Sequence, residues 1–191
     1  MNFDFSDDQK VLRDQARKFL SERAAPARVR HVLDTDVPYD TDLWRGMAEM
    51  AWPGTAVPEA YGGAGFGYLE LCVIAEELGR SLAPTPFSSS VYLATEAILL
   101  AGSDGQRKHW LPKLALGEAL GCFALAEGVK APAPGNITTV ARDGRLTGVK
   151  LPVADGDVAD LAIVAARTAE GAGDRTLSLF LVDLAGPGVT R

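Results

Sequence analysis

His31 and His109 are the only histidines in the 191 residues. Neither stands beside a nucleophile or in a metal-ligand spacing, so an imidazole here has no orienting partner for general-base work or metal binding. Cys72 and Cys122 lie far apart, each inside an apolar run. They read as buried free thiols of a reducing compartment, not as a disulfide or a metal pair. Glu76 and Glu77 are neighbours on a helix-forming stretch, but adjacent helical residues point about 100° apart. The two carboxylates therefore read as a solvated helix edge, not as a converging acid–base pair. Gly62 to Gly67 (GGAGFG) resembles a dinucleotide fingerprint in letters only, because that motif needs a strand before it and a βαβ unit around it. Here Pro53 and Pro58 precede it and no parallel-sheet alternation comes after it. Ser88-Ser89-Ser90, after Pro86, reads as the start of a helix. No G-x-S-x-G, P-loop or C-x-x-C occurs. The residues by themselves assign no catalytic group and no metal ligand.

The totals narrow the classes further. Apolar residues make up 47% and charged residues 23%, which describes an ordinary globular chain of one or two domains. Net charge is −6, with 25 acidic against 19 basic residues and no Lys/Arg stripe. That excludes nucleic acid as the main partner, because phosphate binding needs clustered cations. No apolar run approaches the roughly 20 residues that span a bilayer, and the acidic N-terminus lacks a signal-peptide pattern. A cytoplasmic location, with no membrane partner, is the expectation.

The elements that must position any site divide the chain in two. Ser6 with Gln9 is a capping box, and Asp7 and Asp8 suit the positive end of a helix. Val11, Leu12, Ala16, Phe19 and Leu20 then recur at helical spacing. Pro26 is expected to end or kink this helix, with a polar connection over His31 to Tyr39. A short helix is predicted from Asp40 to Met50, with Leu43, Trp44, Met47 and Met50 on its apolar side. Trp52 to Gly67 holds two prolines and five glycines, so it reads as a loop. Tyr68 to Leu82 carries Leu71, Ile74, Ala75 and Leu78 on one face, then stop signals at Pro84 and Pro86. A buried helix is predicted over Ser89 to Leu100. Ser103 with Gln106 opens another, which Pro112 is expected to break.

From Leu120 the period changes. Cys122-Phe123-Ala124-Leu125-Ala126 is an apolar strand-like run closed by Glu127 and Gly128. A β-branched run, Ile137 to Val140, leads to Asp143-Gly144, a strong hairpin signal, with Leu146 to Val153 as the return strand. Leu161 to Ala166 reads as a buried strand, Thr168 to Arg175 as a polar connection, and Thr176 to Val182 as a further strand. A sheet of about four strands is expected, with one edge unpaired and one face uncovered. The fold class is therefore α+β, with an N-terminal all-α domain (1–118) followed by a β-sheet or barrel-like domain (119–191).

Several segments, taken in order, resemble the acyl-CoA dehydrogenase family. Phe5-Ser6-Asp7-Asp8-Gln9 with Leu12-Arg13-Asp14 is similar to the family's opening helix, and Val57-Pro58-Glu59-Ala60-Tyr61-Gly62-Gly63-Ala64-Gly65 to its V-P-E-x-Y-G-G-x-G loop. Glu76-Glu77-Leu78-Gly79-Arg80 resembles E-E-L-G-R, and Gln106 to Lys113 with Gly117-Glu118 the Q-K-x-x-x-L-P segment. Phe123-Ala124-Leu125-Ala126-Glu127 stands where the family has a flavin-facing A-L-T-E strand. Gly148-Val149-Lys150 with Ala159-Asp160 corresponds to G-x-K…A-D. Each motif is short; six in order across the chain carry the resemblance.

The resemblance implies a helical domain and the middle β-domain of a flavoprotein. FAD would be its cofactor, an acyl-CoA thioester its substrate, an electron-transfer flavoprotein its electron acceptor, and a homo- or hetero-oligomer of such chains its assembly. The family's reaction removes the α-proton with a glutamate and passes the β-hydrogen to the flavin as hydride. That glutamate belongs to a C-terminal helical domain which the resemblance does not find in this chain, and ending at Arg191 looks like a partial terminus. The cofactor-side positions implied are Phe123, Leu125, Ala126, Pro152, Val153 and Ala154. They depart from the family: Ala126 replaces a Thr, Glu127 to Pro132 replaces E-P-x-A-G-S-D, and Pro152-Val153-Ala154 replaces W-I-T. The resemblance leaves two roles, an acyl-CoA dehydrogenase in fatty acid or steroid catabolism, or a non-catalytic partner subunit of a hetero-oligomeric one. A module that binds acyl-CoA without redox chemistry is a third.

Overall fold

A computed structural model describes residues 4–169 and 176–191. The chain forms two compact units. One takes the described residues up to Phe87 together with Gly102–Glu118; the other takes Ser88–Ala101 and the described residues from Ala119 to Arg191. The division at 118/119 expected from the sequence leaves Ser88–Ala101 with the helical part, whereas its packing lies with the sheet.

The first unit is helical. Helix α1 (Asp7–Arg23) opens with the Ser6–Gln9 capping box and buries Ala16 and Leu20. Helix α2 (Pro26–Asp34) lies where the sequence predicts a polar connection. Pro26 occupies its first turn, where a missing N–H costs nothing and the fixed φ is already helical, so the proline starts a helix instead of ending one. Helix α3 (Thr41–Glu49) buries Leu43, Trp44 and Met47. Its cap is Asp40, whose carboxylate accepts the Leu43 amide at 3.0 Å and both arms of the Arg28 guanidinium at 2.6 Å. Helix α4 (Tyr68–Ser81) packs against α1. Helix α6 (Asp104–Ala115) carries the second capping box and continues through Pro112 to Ala115 instead of breaking there. The proline forgoes the one backbone bond its missing N–H would make to the preceding turn, and the helix absorbs that loss.

Between α3 and α4 the glycine-rich loop is laced to itself. The amides of Gly63, Ala64, Gly65 and Phe66 donate to the carbonyls of Pro58, Gly54, Val57 and Thr55 at 3.3, 2.9, 2.9 and 2.9 Å. A phosphate cradle needs free N–H groups aimed at the ligand. Here the four amides are already used, which gives the GGAGFG stretch its structural role.

In the second unit Ser88–Ala101 is helical, but Ser88–Thr95 has the wider π form before α5 (Glu96–Ala101) resumes the α form. Ser89 and Ser90 are both buried and both bonded outward: the Ser89 hydroxyl donates to Asp155 at 2.5 Å, and Ser90 Oγ accepts the Gly121 amide at 3.2 Å. Strand β4 (Leu161–Arg167) is the centre of a five-stranded sheet. It runs parallel to β1 (Gly121–Ala124) and antiparallel to β5 (Leu177–Asp183). Strands β2 (Val140–Arg142) and β3 (Arg145–Thr147) form the hairpin on Asp143-Gly144, whose φ values of 52° and 72° belong to a type I′ turn. Val140 pairs with Arg167 in parallel register.

Both hairpin strands are shorter than the sequence predicts. Ile137 to Thr139 are lost to the β2–β3 ladder because most of their backbone groups bond elsewhere: the Ile137 carbonyl accepts from the Arg167 side chain, the Thr138 and Thr139 amides donate to Glu127, and the Thr139 carbonyl accepts the Arg167 amide of β4 at 2.8 Å. Beyond Thr147 the return segment pairs elsewhere, at Leu151 against Glu127. Residues 170–175 of the predicted connection lie outside the described residues. No helix among the described residues is long and apolar enough to cross a membrane.

Candidate functional site

Two of the chemistry-bearing groups singled out by the sequence are structural. Glu77 is buried, not a solvated edge: Arg17 donates to it at 3.0 and 2.6 Å, and Arg80 lies 3.6 Å away. The hydrogen bonds from Arg17 outweigh the desolvation that burial imposes and hold the carboxyl below its usual range. Only Cys122 is a buried thiol; Cys72 is exposed on α4. Burial pushes the Cys122 thiol up to about 11, with Asp155 nearby adding to the shift. His31 lies exposed on α2, and His109 on α6 stands 3.3 Å from Lys113 Nζ and edge-on to Trp110. Among the described residues no three His, Cys, Asp or Glu side chains converge as a metal site.

The polar centre of the second unit is Glu127. Its carboxylate accepts five hydrogen bonds: from the amide and hydroxyl of Thr138 at 2.5 Å each, from the amide and hydroxyl of Thr139 at 3.0 and 2.5 Å, and from Lys150 Nζ at 2.7 Å. The side chains of Lys150 and Glu127 are only 9% and 6% exposed. Burial favours the neutral acid, yet the Lys150 ammonium and the threonine donors outweigh it and hold the carboxyl far below the ordinary range. A carboxylate so saturated is no proton acceptor at neutral pH, since a general base needs a free lone pair and a pKa near the working pH.

Around this pair two segments are stapled together. Lys150 Nζ donates to the Leu125 carbonyl at 3.2 Å, the Leu151 amide to the Ala126 carbonyl at 2.9 Å, and the Gly128 amide to the Leu151 carbonyl at 2.6 Å. The six cofactor-side positions expected from the resemblance therefore fall on two neighbouring stretches, 123–126 and 152–154. Phe123, Leu125, Ala126 and Val153 are half-buried, and Pro152 and Ala154 are exposed. Past Ala154 the loop is tied by the Asp155–Ser89 bond and by the Gly156 amide on the Val153 carbonyl at 3.2 Å. None of the six side chains carries a polar atom. The arrangement suits one face of a flat, largely apolar ring system, with polar recognition left to backbone groups.

An open cavity of about 570 Å³ lies on one face of the sheet, lined by Cys122, Ala124, Ala162 and Val164 and bordered by Thr139 and Lys150 of this network. Strand alternation turns Phe123 away from it. Of the six expected positions only Val153 lines it. The network itself is what sequence reasoning misses. In the sequence Glu127 and Lys150 stand as motif letters, and Thr138 and Thr139 as β-branched strand formers. The available signal is a Glu closing an apolar run; Lys150 stands between Val149 and Leu151, both exposed, and carries none.

Residues 6–118 match the family model described as acyl-CoA dehydrogenase, N-terminal domain. An acyl-CoA dehydrogenase of Bacillus subtilis is 31% identical over 189 residues, covering 96% of this chain and 49% of that protein. The structure resembles a chain in the ChsE4–ChsE5 complex from Mycobacterium tuberculosis, with a TM-score of 0.84 and 29% identity, over 100% of this chain and 50% of that one. It resembles a glutaryl-CoA dehydrogenase from Mycobacterium smegmatis, solved in complex with FADH2, with a TM-score of 0.81 and 28% identity over 96% and 47%. The chain thus spans about half the length of the curated relatives it matches. With that match over most of the helical part and those relatives along nearly all of its length, the chain belongs to the acyl-CoA dehydrogenase family.

Proposed function

We propose that this chain is the N-terminal and middle part (1–118 and 119–191) of an FAD-dependent acyl-CoA dehydrogenase acting in the cytoplasm on an acyl-CoA thioester. The observation that carries the reading is the stapling of 123–127 to 150–154, which brings together the two short motifs that the family places beside its flavin. On this reading Phe123, Leu125, Ala126, Pro152, Val153 and Ala154 hold FAD through apolar packing and backbone groups. When bound, FAD supplies the hydride acceptor for α,β-dehydrogenation. The chain's own residues supply the platform and shield it from water on one side. Glu127 and Glu77 are both excluded as the α-proton base, because each is ionised and committed to cationic donors. An electron-transfer flavoprotein as acceptor and an oligomeric assembly belong to the same reading.

A second reading is supported by one specific feature. Ala126, Pro152 and Ala154 lack the hydroxyls and the aromatic wall of the family motifs, and one similar structure is that of a two-protein complex, ChsE4–ChsE5. A non-catalytic partner subunit of a hetero-oligomeric dehydrogenase would tolerate those losses. The absorption spectrum of the full-length protein purified under native conditions separates the two. Oxidised-flavin bands that bleach on anaerobic addition of an acyl-CoA are the expected result. A colourless, folded protein overturns the self-sufficient enzyme, and recovery of colour on mixing with a homologous chain identifies the partner role.

A further inference from the structure

The buried Glu127–Lys150 pair does more than neutralise itself. Lys150 Nζ spans Ala126, bonding the carbonyl before it (Leu125, 3.2 Å) and the carboxylate after it (Glu127, 2.7 Å). The backbone of Ala126 is thus held on both flanks, and its own carbonyl is held by the Leu151 amide. Glu127 in turn carries four bonds from Thr138 and Thr139, which anchor the start of the hairpin to the same point. Gly148 is part of the design: a Cβ there would lie 2.3 Å from Thr139 Oγ1 and 2.7 Å from Thr139 Cα. Only glycine lets the 148–151 segment pass that close while Thr139 keeps its hydroxyl on Glu127. We infer that Glu127 and Lys150 are positioning residues for the flavin ledge: the pair sets the distance and register between 123–126 and 152–154, and through that backbone geometry it governs FAD affinity. This rests on the flavin reading above and deepens it.

The physical case turns on what the ledge lacks. With no polar side chain among the six positions, recognition of a cofactor's polar edge falls to backbone groups; the β1–β4 pairing and the Asp155–Ser89 bond hold the outer parts of the two stretches, and the stapling bonds set their spacing where they meet. Sites of this kind lose function when their support is loose by about an ångström. A buried ion pair is a poor way to gain net stability, since desolvation offsets much of the attraction and an apolar pair of similar volume often does as well. Its geometric role, with the ammonium on the Leu125 carbonyl and the carboxylate on the Thr138 and Thr139 amides, is the part that an apolar pair would not reproduce.

That contrast supplies the test. In the full-length protein stripped of flavin, FAD is titrated into the wild type, the double variant Glu127→Gln/Lys150→Met and the single variant Thr139→Val. Unfolding midpoints and the hydrogen exchange of the Leu151 and Gly128 amides are measured on the same samples. The double variant leaves no buried charge, so its midpoint is expected to stay near the wild type while FAD binds about tenfold or more weakly and both amides exchange faster. Thr139→Val removes one donor to Glu127 without changing shape and is expected to weaken FAD about threefold, which keeps the test open should the double variant fail to fold. FAD affinity within twofold of wild type in every folded variant overturns the positioning role and leaves the flavin reading standing. A folded wild type that takes up no FAD overturns the flavin reading, and this inference with it.

Discussion

Gly63 lies in the stretch that most resembles a nucleotide fingerprint, and its substitution by alanine tests whether the glycines there serve packing or a ligand. An ideal Cβ at Gly63 would stand 2.0 Å from the Val57 carbonyl oxygen and 2.4 Å from Val57 Cβ. Ordinary carbon contacts are about 3.5–4.0 Å, so Val57 would have to retreat by more than an ångström. Val57 cannot retreat cheaply, because it is 1% exposed and its carbonyl accepts the Gly65 amide at 2.9 Å. Moving either strand of the loop also strains the Ala64–Gly54 and Gly63–Pro58 bonds. Two backbone hydrogen bonds at about 1 kcal/mol each and an overpacking cost of about 1–3 kcal/mol give a destabilisation of about 3–5 kcal/mol for Gly63→Ala. Gly79→Ala is the control: the same chemical change in α4, with nothing within 4 Å of the added carbon. It is expected to stabilise by about 0.8 kcal/mol through helix propensity. Trp44, Trp52 and Trp110 are the three tryptophans of the sequence, and all lie in the helical unit, so denaturant unfolding followed by tryptophan fluorescence reports on that unit. A Gly63→Ala protein within about 1 kcal/mol of wild type would refute the packing argument and reopen a ligand role for the loop.

The buried titratable groups set two further expectations. Arg17 holds the Glu77 carboxyl below its unfolded value of 4.5; the stability it contributes is therefore present above that value and is lost as pH falls through the folded pKa. Lowering pH from 7 to 3 should reduce the urea midpoint of wild type more than that of Glu77→Gln, and equal reductions would remove Glu77 as the cause. The Cys122 thiol, pushed up to about 11 by burial, is about one part in a thousand thiolate at pH 8, while Cys72 is exposed. Iodoacetamide at pH 8 should add one label to the native chain and two in denaturant, as read by mass; two fast labels on the native protein would contradict the burial of β1.

The helices are legible in the sequence because their signals are local. Capping boxes at Ser6–Gln9 and Ser103–Gln106 and the i, i+3, i+4 apolar faces need no knowledge of distant partners. The Asp143-Gly144 turn is legible for the same reason. Pro26 misleads because a proline can mark either the end of one helix or the first turn of the next, and only the residues downstream of it decide. Glu77 misleads because its partner, Arg17, is 60 residues away in sequence, and nothing near it separates a paired buried carboxylate from a solvated one. Ile137 to Thr139 have the β-branched composition of a strand. Their backbone groups instead bond Arg167 and Glu127, a long-range competition that propensity does not contain.

The same distinction bears on the positions proposed to face the flavin. A comparison of letters scores Thr to Ala at 126 and Trp-Ile-Thr to Pro152-Val153-Ala154 as losses, since each removes a side-chain donor or an aromatic wall. The fold scores them differently. The bonds that fix Ala126 run through its neighbours' carbonyls and carboxylate to Lys150 and through its own carbonyl to Leu151, and none involves the side chain at 126. Residues 152–154 are likewise held from their ends, by Leu151 on one side and Asp155 on the other. The substitutions strip polar decoration from a ledge whose geometry never depended on it. On the proposed flavin reading they bear on how tightly FAD is held, while the spacing of the backbone rests with Glu127, Lys150, the two threonines, Leu151 and Asp155.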